Sequence, residues 1–178
     1  MRVVAGRLGG RLFLSPGNDR THPMSDKIRG ALFNTLGDIE GLTVLDAFTG
    51  SGALAFEALS RGASQVIALD IDASAISTVL KSATSLGIGS EIKVIRAAAA
   101  SWLQTMPSDT VFDIVLCDPP YDDPQLDLVA ELAQRAKAGG LVVISLPQDV
   151  TPALPEIYEL VMAKSYGDAR LYFYRREL

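Results

Sequence analysis

Two short stretches of this sequence carry residues whose types and spacing suit chemistry on a bound ligand: Asp46-Ala47-Phe48-Thr49-Gly50-Ser51-Gly52 and Asp118-Pro119-Pro120-Tyr121. Gly50 and Gly52 have no Cβ, so a ligand can approach the backbone closely there and the turn is free to take positive φ. Asp70 lies 18 positions beyond Gly52, about where an acid meets the ribose hydroxyls of a bound nucleoside. The same glycines also begin a dinucleotide fingerprint, with Ala55 at its tolerant third position, so glycines alone leave two cofactor classes open. Asp46 bears on the choice. A carboxylate four residues before Gly50 is unhelpful beside a pyrophosphate and suits a ligand with a cationic amino group, such as the methionine part of S-adenosylmethionine.

In the second stretch, two prolines fix φ and remove two backbone donors, giving a rigid loop that presents carbonyls. A carboxylate and a proline carbonyl close together form a pair of acceptors suited to an –NH2 group. An exocyclic base amine is a poor nucleophile because its lone pair is delocalised into the ring. Hydrogen bonds from both of its N–H groups favour pyramidal nitrogen and expose that lone pair. Tyr121 offers a flat face for the base, worth ~1–3 kcal/mol in single-strand binders, and a base in a duplex must first leave its stack. The expected reaction is transfer of a methyl group from S-adenosylmethionine to an exocyclic amine of a nucleic-acid base. The Asp-Pro-Pro-Tyr string serves guanine N2 in RNA or adenine N6 in DNA equally well.

These loops need elements to hold them. Thr43–Phe48, Gln65–Asp70, Ile92–Ile95, Val111–Cys117 and Leu141–Ile144 read as five short apolar strands. Helical stretches lie between them: one stopping at Gly62, one capped by Asp72, one through Trp102 and Leu103, and one around Leu126–Lys137. Alternating strands and helices imply a doubly wound α/β fold with a mostly parallel seven-stranded sheet, closed by strands at Tyr158–Ala163 and Leu171–Arg175. In such sheets ligands bind beyond the carboxyl ends of the strands. Upstream, Arg2–Gly6 and Gly9–Leu14 read as a short basic hairpin around a glycine turn, followed by a helix capped by Ser25 with Ile28, Ala31, Leu32 and Leu36 on one face. This division gives an extension over residues 1–36 and a catalytic domain over 37–178.

The chain has 178 residues and a net charge of −5, but charge is unevenly placed. Residues 1–36 hold Arg2, Arg7, Arg11, Arg20, Lys27 and Arg29 against two aspartates, a net of +4, and the remainder carries −9. A basic end on an acidic body suits a nucleic-acid contact confined to one face. The single cysteine, Cys117, sits in an apolar strand and reads as core; the single histidine, His22, reads as a surface or RNA-contacting residue. With one of each, neither a disulfide framework nor a metal constellation is expected. No long apolar run suggests a membrane span or signal peptide, so the expectation is a cytoplasmic monomer.

Beyond these motifs, the sequence resembles the RsmD family of bacterial methyltransferases nearly end to end. The likeness covers Arg2–Gly6 with Gly10-Arg11, Arg20–Arg29 with Ala31–Asn34, Leu45–Leu54, Asp118–Tyr121 and Tyr166-Gly167. The stretch Glu57-Ala58-Leu59-Ser60-Arg61-Gly62-Ala63 is the most particular to that family. The resemblance implies a class I, Rossmann-like S-adenosylmethionine-dependent methyltransferase acting on N2 of a guanine in small-subunit (16S) ribosomal RNA. It implies cofactor contacts at Asp46, Phe48, Gly50, Ser51, Gly52, Asp70, Ile71, Ala98 and Asp118, and target-base contacts at Asp118, Pro119, Pro120 and Tyr121. RNA contacts are implied at Arg2, Arg7, Arg11, Arg20, His22, Lys27 and Arg29, on naked RNA or an assembling small subunit. The sequence departs from the family pattern at Gly30, Ala83, Ala98 and Ser145, the last standing where a glutamate is expected, and Asp70 stands where Glu is common. The departures motivate a further reading, a non-catalytic rRNA-binding assembly factor; the intact Asp118 loop argues against it.

Overall fold

The computed structural model describes residues 1–16 and 24–178. In chain order the elements are α1 (Asp26–Leu36), β1 (Thr43–Asp46), α2 (Ala53–Ser60), β2 (Gln65–Asp70), α3 (Ala73–Leu86), β3 (Ile92–Arg96), α4 (Ala99–Thr105), β4 (Phe112–Cys117), α5 (Leu126–Ala133), β5 (Ala136–Pro147), β6 (Tyr158–Tyr166) and β7 (Ala169–Arg176). They build one seven-stranded sheet in the order β3-β2-β1-β4-β5-β7-β6. Only β7 runs against the others, pairing antiparallel with both β5 and β6. Sequence order runs outward from β1 through β2 to β3 on one side and from β4 to β5 on the other, so the switch point, where such sheets bind ligands, lies between β1 and β4.

The central strands are apolar on both faces because helices cover both. Val44, Ile114, Leu116, Val143 and Leu171 pack on one side with α1, α2 and α3. Leu45, Val115, Cys117, Val142 and Ile144 pack on the other with α4 and α5. Helix ends follow their residues: Ser25 caps α1 by accepting from the Ile28 N–H, Asp72 caps α3 by accepting from Ser74, and Gly87 closes α3 at φ 76°. Among the described residues no helix is long and apolar enough to cross a membrane.

Two expectations from sequence need correcting. Helix α5 ends at Ala133 rather than near Lys137, and β5 begins at Ala136. Ala136 pairs with Phe112 but Leu141 pairs with Ile114, so residues 137–140 form a bulge. Gly139 takes φ 75° there, and a Cβ on Gly140 would lie 2.9 Å from the Lys137 carbonyl oxygen. In that bulge Lys137 Nζ sits 2.9 Å from Asp113 Oδ1, an ion pair that no helical periodicity reveals. The amino-terminal hairpin is also less regular than expected. Its only strand-type pairing is a single bridge between Arg2 and Leu12, with turns over residues 5–10. Gly6 and Gly10 take positive φ there and keep the chain tightly coiled.

Candidate active site

Asp46 is the last residue of β1 and Asp118 follows the last residue of β4, so the two carboxyl groups flank the switch point. Asp46 pairs in register with Leu116, and the Ala47 N–H donates to the Leu116 carbonyl at 3.1 Å, which binds the two loops side by side. Asp46 is fully buried. Its Oδ2 accepts from the Thr49 hydroxyl at 2.8 Å, while its Oδ1 has no hydrogen-bond partner. A buried carboxylate oxygen left unpaired is costly, and a cationic N–H donor from a ligand relieves that cost. Burial pushes the Asp46 carboxyl up to about 7, with the neighbouring charges of Asp118 and Asp70 adding to the rise and the Thr49 hydroxyl and nearby Ala55 N–H opposing it.

The glycine loop is braced from β2. Gly50 takes φ 51° and Gly52 φ 81°. A Cβ on Gly52 would come within 2.8 Å of the Phe56 ring, so the position is closed to larger residues. Asp70 accepts from the Gly50 N–H through Oδ2 at 2.8 Å and from the Asp72 N–H through Oδ1 at 2.9 Å. Both of its oxygens are therefore already engaged in shaping the loop. Ser51 is buried, Phe48 is half-buried, and Ile71 is exposed despite its apolar side chain. Ala98 is half-buried at the start of α4, which has no side-chain cap there.

In the second loop Pro119 is buried and Pro120 exposed. The Pro120 carbonyl accepts from the Asp123 N–H at 3.1 Å, leaving the Pro119 carbonyl as the proline acceptor beside Asp118. Burial pushes the Asp118 carboxyl up to about 6, against the stabilising hydroxyl of Ser145. Tyr121 is 38% exposed, and its hydroxyl lies 2.9 Å from Ser145 Oγ. Sequence reasoning placed neither Thr49 nor Ser145 in the site. Thr49 lies within the glycine motif itself, and Ser145 was visible only as a departure from the family pattern.

The basic residues are mostly committed elsewhere. Arg29, expected on the RNA face, is fully buried, and this corrects that assignment. Its guanidinium donates to the carbonyls of Met24 (3.1 Å) and Arg2 (2.6 Å) and to Asp26 (2.9 Å), and lies 3.5 Å from Glu57. Arg11 donates to the Leu86 and Ser85 carbonyls at 3.0 and 2.9 Å, closing the carboxyl end of α3. Arg7 pairs with Glu91 and Arg2 with Asp26. Both keep exposed side chains, as does Lys27. Arg20 and His22 lie outside the described residues.

The stretch most particular to the family proves to be a socket for the amino-terminal segment. Buried Glu57 accepts the Val4 and Ala5 N–H groups at 2.8 and 3.1 Å and the Arg61 guanidinium at 2.8 Å. Ser60 Oγ accepts the Leu8 N–H at 2.9 Å. A Cβ on Gly6 would stand 2.0 Å from the Ser60 carbonyl oxygen, so only glycine fits there.

A parallel sheet with its switch point between a glycine loop and an acidic diproline loop, closed by an antiparallel β7 inserted beside β6, defines the class I methyltransferase fold. The chain belongs to the family described as conserved hypothetical protein 95, which matches residues 1–175. Ribosomal RNA small subunit methyltransferase D of Haemophilus influenzae is 31% identical over 173 residues, 94% of this chain and 89% of that one. The solved structure of yhhF from Escherichia coli superposes with a TM-score of 0.86 at 30% identity, covering 99% of this chain and 98% of that one. The fold is also shared with SMU.776, whose structure holds SAH, at a TM-score of 0.72 and 13% identity over 84% of this chain and 48% of that one.

Proposed function

We propose that this chain transfers a methyl group from S-adenosylmethionine to the exocyclic N2 amino group of a guanine in small-subunit (16S) ribosomal RNA. The observation that carries the reading is the buried Asp46 carboxylate with an unpaired Oδ1, one strand away from the Asp118 diproline loop. It is supported by the relative in Haemophilus influenzae, whose name is a ribosomal RNA small subunit methyltransferase.

When bound, S-adenosylmethionine supplies a methyl group already activated on a sulfonium centre, so the protein's task is mainly orientation. Asp46 Oδ1 would hold the ammonium of the methionine part, with Gly50, Ser51 and Gly52 letting it approach the backbone. Asp70 would direct its remaining lone pairs at the ribose hydroxyls. Phe48, Ile71 and Ala98 would line the rest of the nucleoside. Asp118 and the Pro119 carbonyl would accept the two N–H groups of the target amine, and Tyr121 would stack on its base. With its carboxyl raised to about 6, Asp118 is ionised at neutral pH and basic enough to take the proton the amine gives up. Residues 1–36 would serve as the RNA-contacting extension, with the exposed side chains of Arg2, Arg7 and Lys27 as cations for the phosphates.

The test is transfer of labelled methyl to unmethylated small ribosomal subunits, followed by nucleoside analysis. N2-methylguanosine is the expected product. Another methylated nucleoside would keep the enzyme and discard the guanine target. Absence of incorporation with cofactor bound would overturn the catalytic reading.

A further inference from the structure

Ser145 stands in the interior of β5, 2% exposed. On the β4–β5 side, Leu116 pairs with Val143 and Cys117 with Ile144; Asp118 and Ser145 are the next residues along the two segments, and the Ser145 hydroxyl hydrogen-bonds the Asp118 carboxyl. A buried hydroxyl has to find a partner, and that of Ser145 lies 2.9 Å from the Tyr121 hydroxyl across 24 residues of chain. The prolines stiffen the backbone of the loop bearing Tyr121 but leave it few hydrogen bonds to place the ring. Pro119 and Pro120 have no N–H to donate, the turn is closed by the Asp123 N–H on the Pro120 carbonyl, and Gln125 beyond it adopts a left-handed conformation at φ 46°.

We infer that Ser145 is a positioning residue for this site: its oxygen accepts the Tyr121 O–H and fixes the exposed ring, while its own O–H turns toward Asp118 and supports the ionised carboxylate. The inference rests on the reading of the Asp118 loop as the amine-binding loop. A carboxyl group at this place would add a third negative charge beside Asp46 and Asp118 and drive Asp118 toward its neutral form, whereas a hydroxyl supports its charge. The charged and titratable groups facing this cluster are Asp46 at the end of β1, the Cys117 thiol at the end of β4, Tyr121 in the same loop and Asp168 in the β6–β7 turn, with Asp70 acting on Asp46 from β2. Each carries negative or no charge at neutral pH, so among these groups the Ser145 hydroxyl is the one that favours the Asp118 carboxylate.

The experiment compares Ser145→Ala, Ser145→Thr and Tyr121→Phe with the unchanged chain. Asp118 is titrated by carbonyl-carbon NMR, and kcat and KM for RNA are measured against pH. Removing a hydrogen bond that favours the ionised form must raise the Asp118 midpoint, so Ser145→Ala is expected to move it upward by about one pH unit. The acid limb of the rate profile should move with it. Ser145→Thr restores the hydroxyl and should restore both. Tyr121→Phe keeps the Ser145 hydroxyl, so the Asp118 midpoint stays while KM for RNA rises severalfold and cofactor affinity is unchanged. An Asp118 midpoint that moves in none of the variants would overturn the assignment, as would equal losses of rate in Ser145→Ala and Ser145→Thr. Because the titration needs no turnover, a chain that methylates no RNA yet shows the Asp118 shift in Ser145→Ala would defeat the proposed function and leave the Ser145 assignment supported.

Discussion

Cofactor binding should be linked to a proton on Asp46, and the size of the link follows from the geometry. The Asp46 carboxyl is raised to about 7, first by burial and then by the charges of Asp118 and Asp70, with the Thr49 hydroxyl and the Ala55 N–H opposing. A carboxyl with that midpoint is roughly 90% ionised at pH 8 and roughly 10% ionised at pH 6. If only the ionised form can pair its free Oδ1 with the ligand's ammonium, apparent affinity should fall about tenfold over that interval, near 1.4 kcal/mol. The sign is fixed. An incoming cation favours the charged form and lowers the midpoint, so binding near neutrality should release on the order of half a proton. Calorimetry at each pH, in two buffers of unlike protonation enthalpy, measures both affinity and proton release. The ligand's own amino group titrates nearby, so the affinity ratio of the unchanged chain to Asp46→Asn is the quantity to follow. It should rise about tenfold from pH 6 to pH 8. A flat ratio, or the same proton release near pH 7 in the unchanged chain and in Asp46→Asn, would refute the assignment of Asp46 to the ligand's ammonium.

Other consequences are equally testable. Asp118→Ala should abolish methyl transfer while leaving cofactor affinity nearly unchanged by calorimetry; normal turnover would sink the role given to that loop. Glu57→Ala removes a buried partner of Arg29 and two acceptors for the amino-terminal segment. Breaking a buried pair costs about 3–5 kcal/mol, so the thermal midpoint should drop by roughly 10 °C in a chain of this size, and a drop of only a degree or two would contradict the socket. Lys27→Ala should weaken RNA binding and reduce the slope of log affinity against log salt by about one. Arg29→Ala should instead lower the thermal midpoint, and a salt slope changed by Arg29→Ala at unchanged stability would return Arg29 to the RNA face.

The strands were legible because each is a short apolar run with its own boundary signals. The two loops at the switch point were legible because glycine, proline and aspartate do there what few other residues can. The roles of individual charges were not. Arg29 reads as one of six basic residues in a polar stretch, and only three dimensions reveal the carbonyls of Met24 and Arg2 closing around it. Glu57 sits in a helix with every residue buried, where periodicity marks no face, so its service to Val4 and Ala5 has no local signal. The end of α5 was misplaced because Ala136 and Lys137 suit a helix by propensity, and a non-local ion pair with Asp113 together with pairing to Phe112 draws them into the sheet instead. Ser145 is a small polar residue in a strand and carries meaning only once Tyr121 is found against it.

The socket on α2 also bears on how the protein is made. Val4 bonds to a carboxylate 53 residues further along the chain, and Leu8 to a hydroxyl 52 residues further along. At a synthesis rate of about 5–20 residues per second, the amino-terminal segment waits roughly 3–10 s for its anchor to be made, and longer for α2 to leave the ribosome. During that interval the side chains of Val3, Leu8 and Phe13, later buried against α2 and its neighbours, have nowhere to go. The amino-terminal segment thus emerges well before the helix that anchors it, which makes the nascent chain dependent on whatever shields those apolar residues in the meantime.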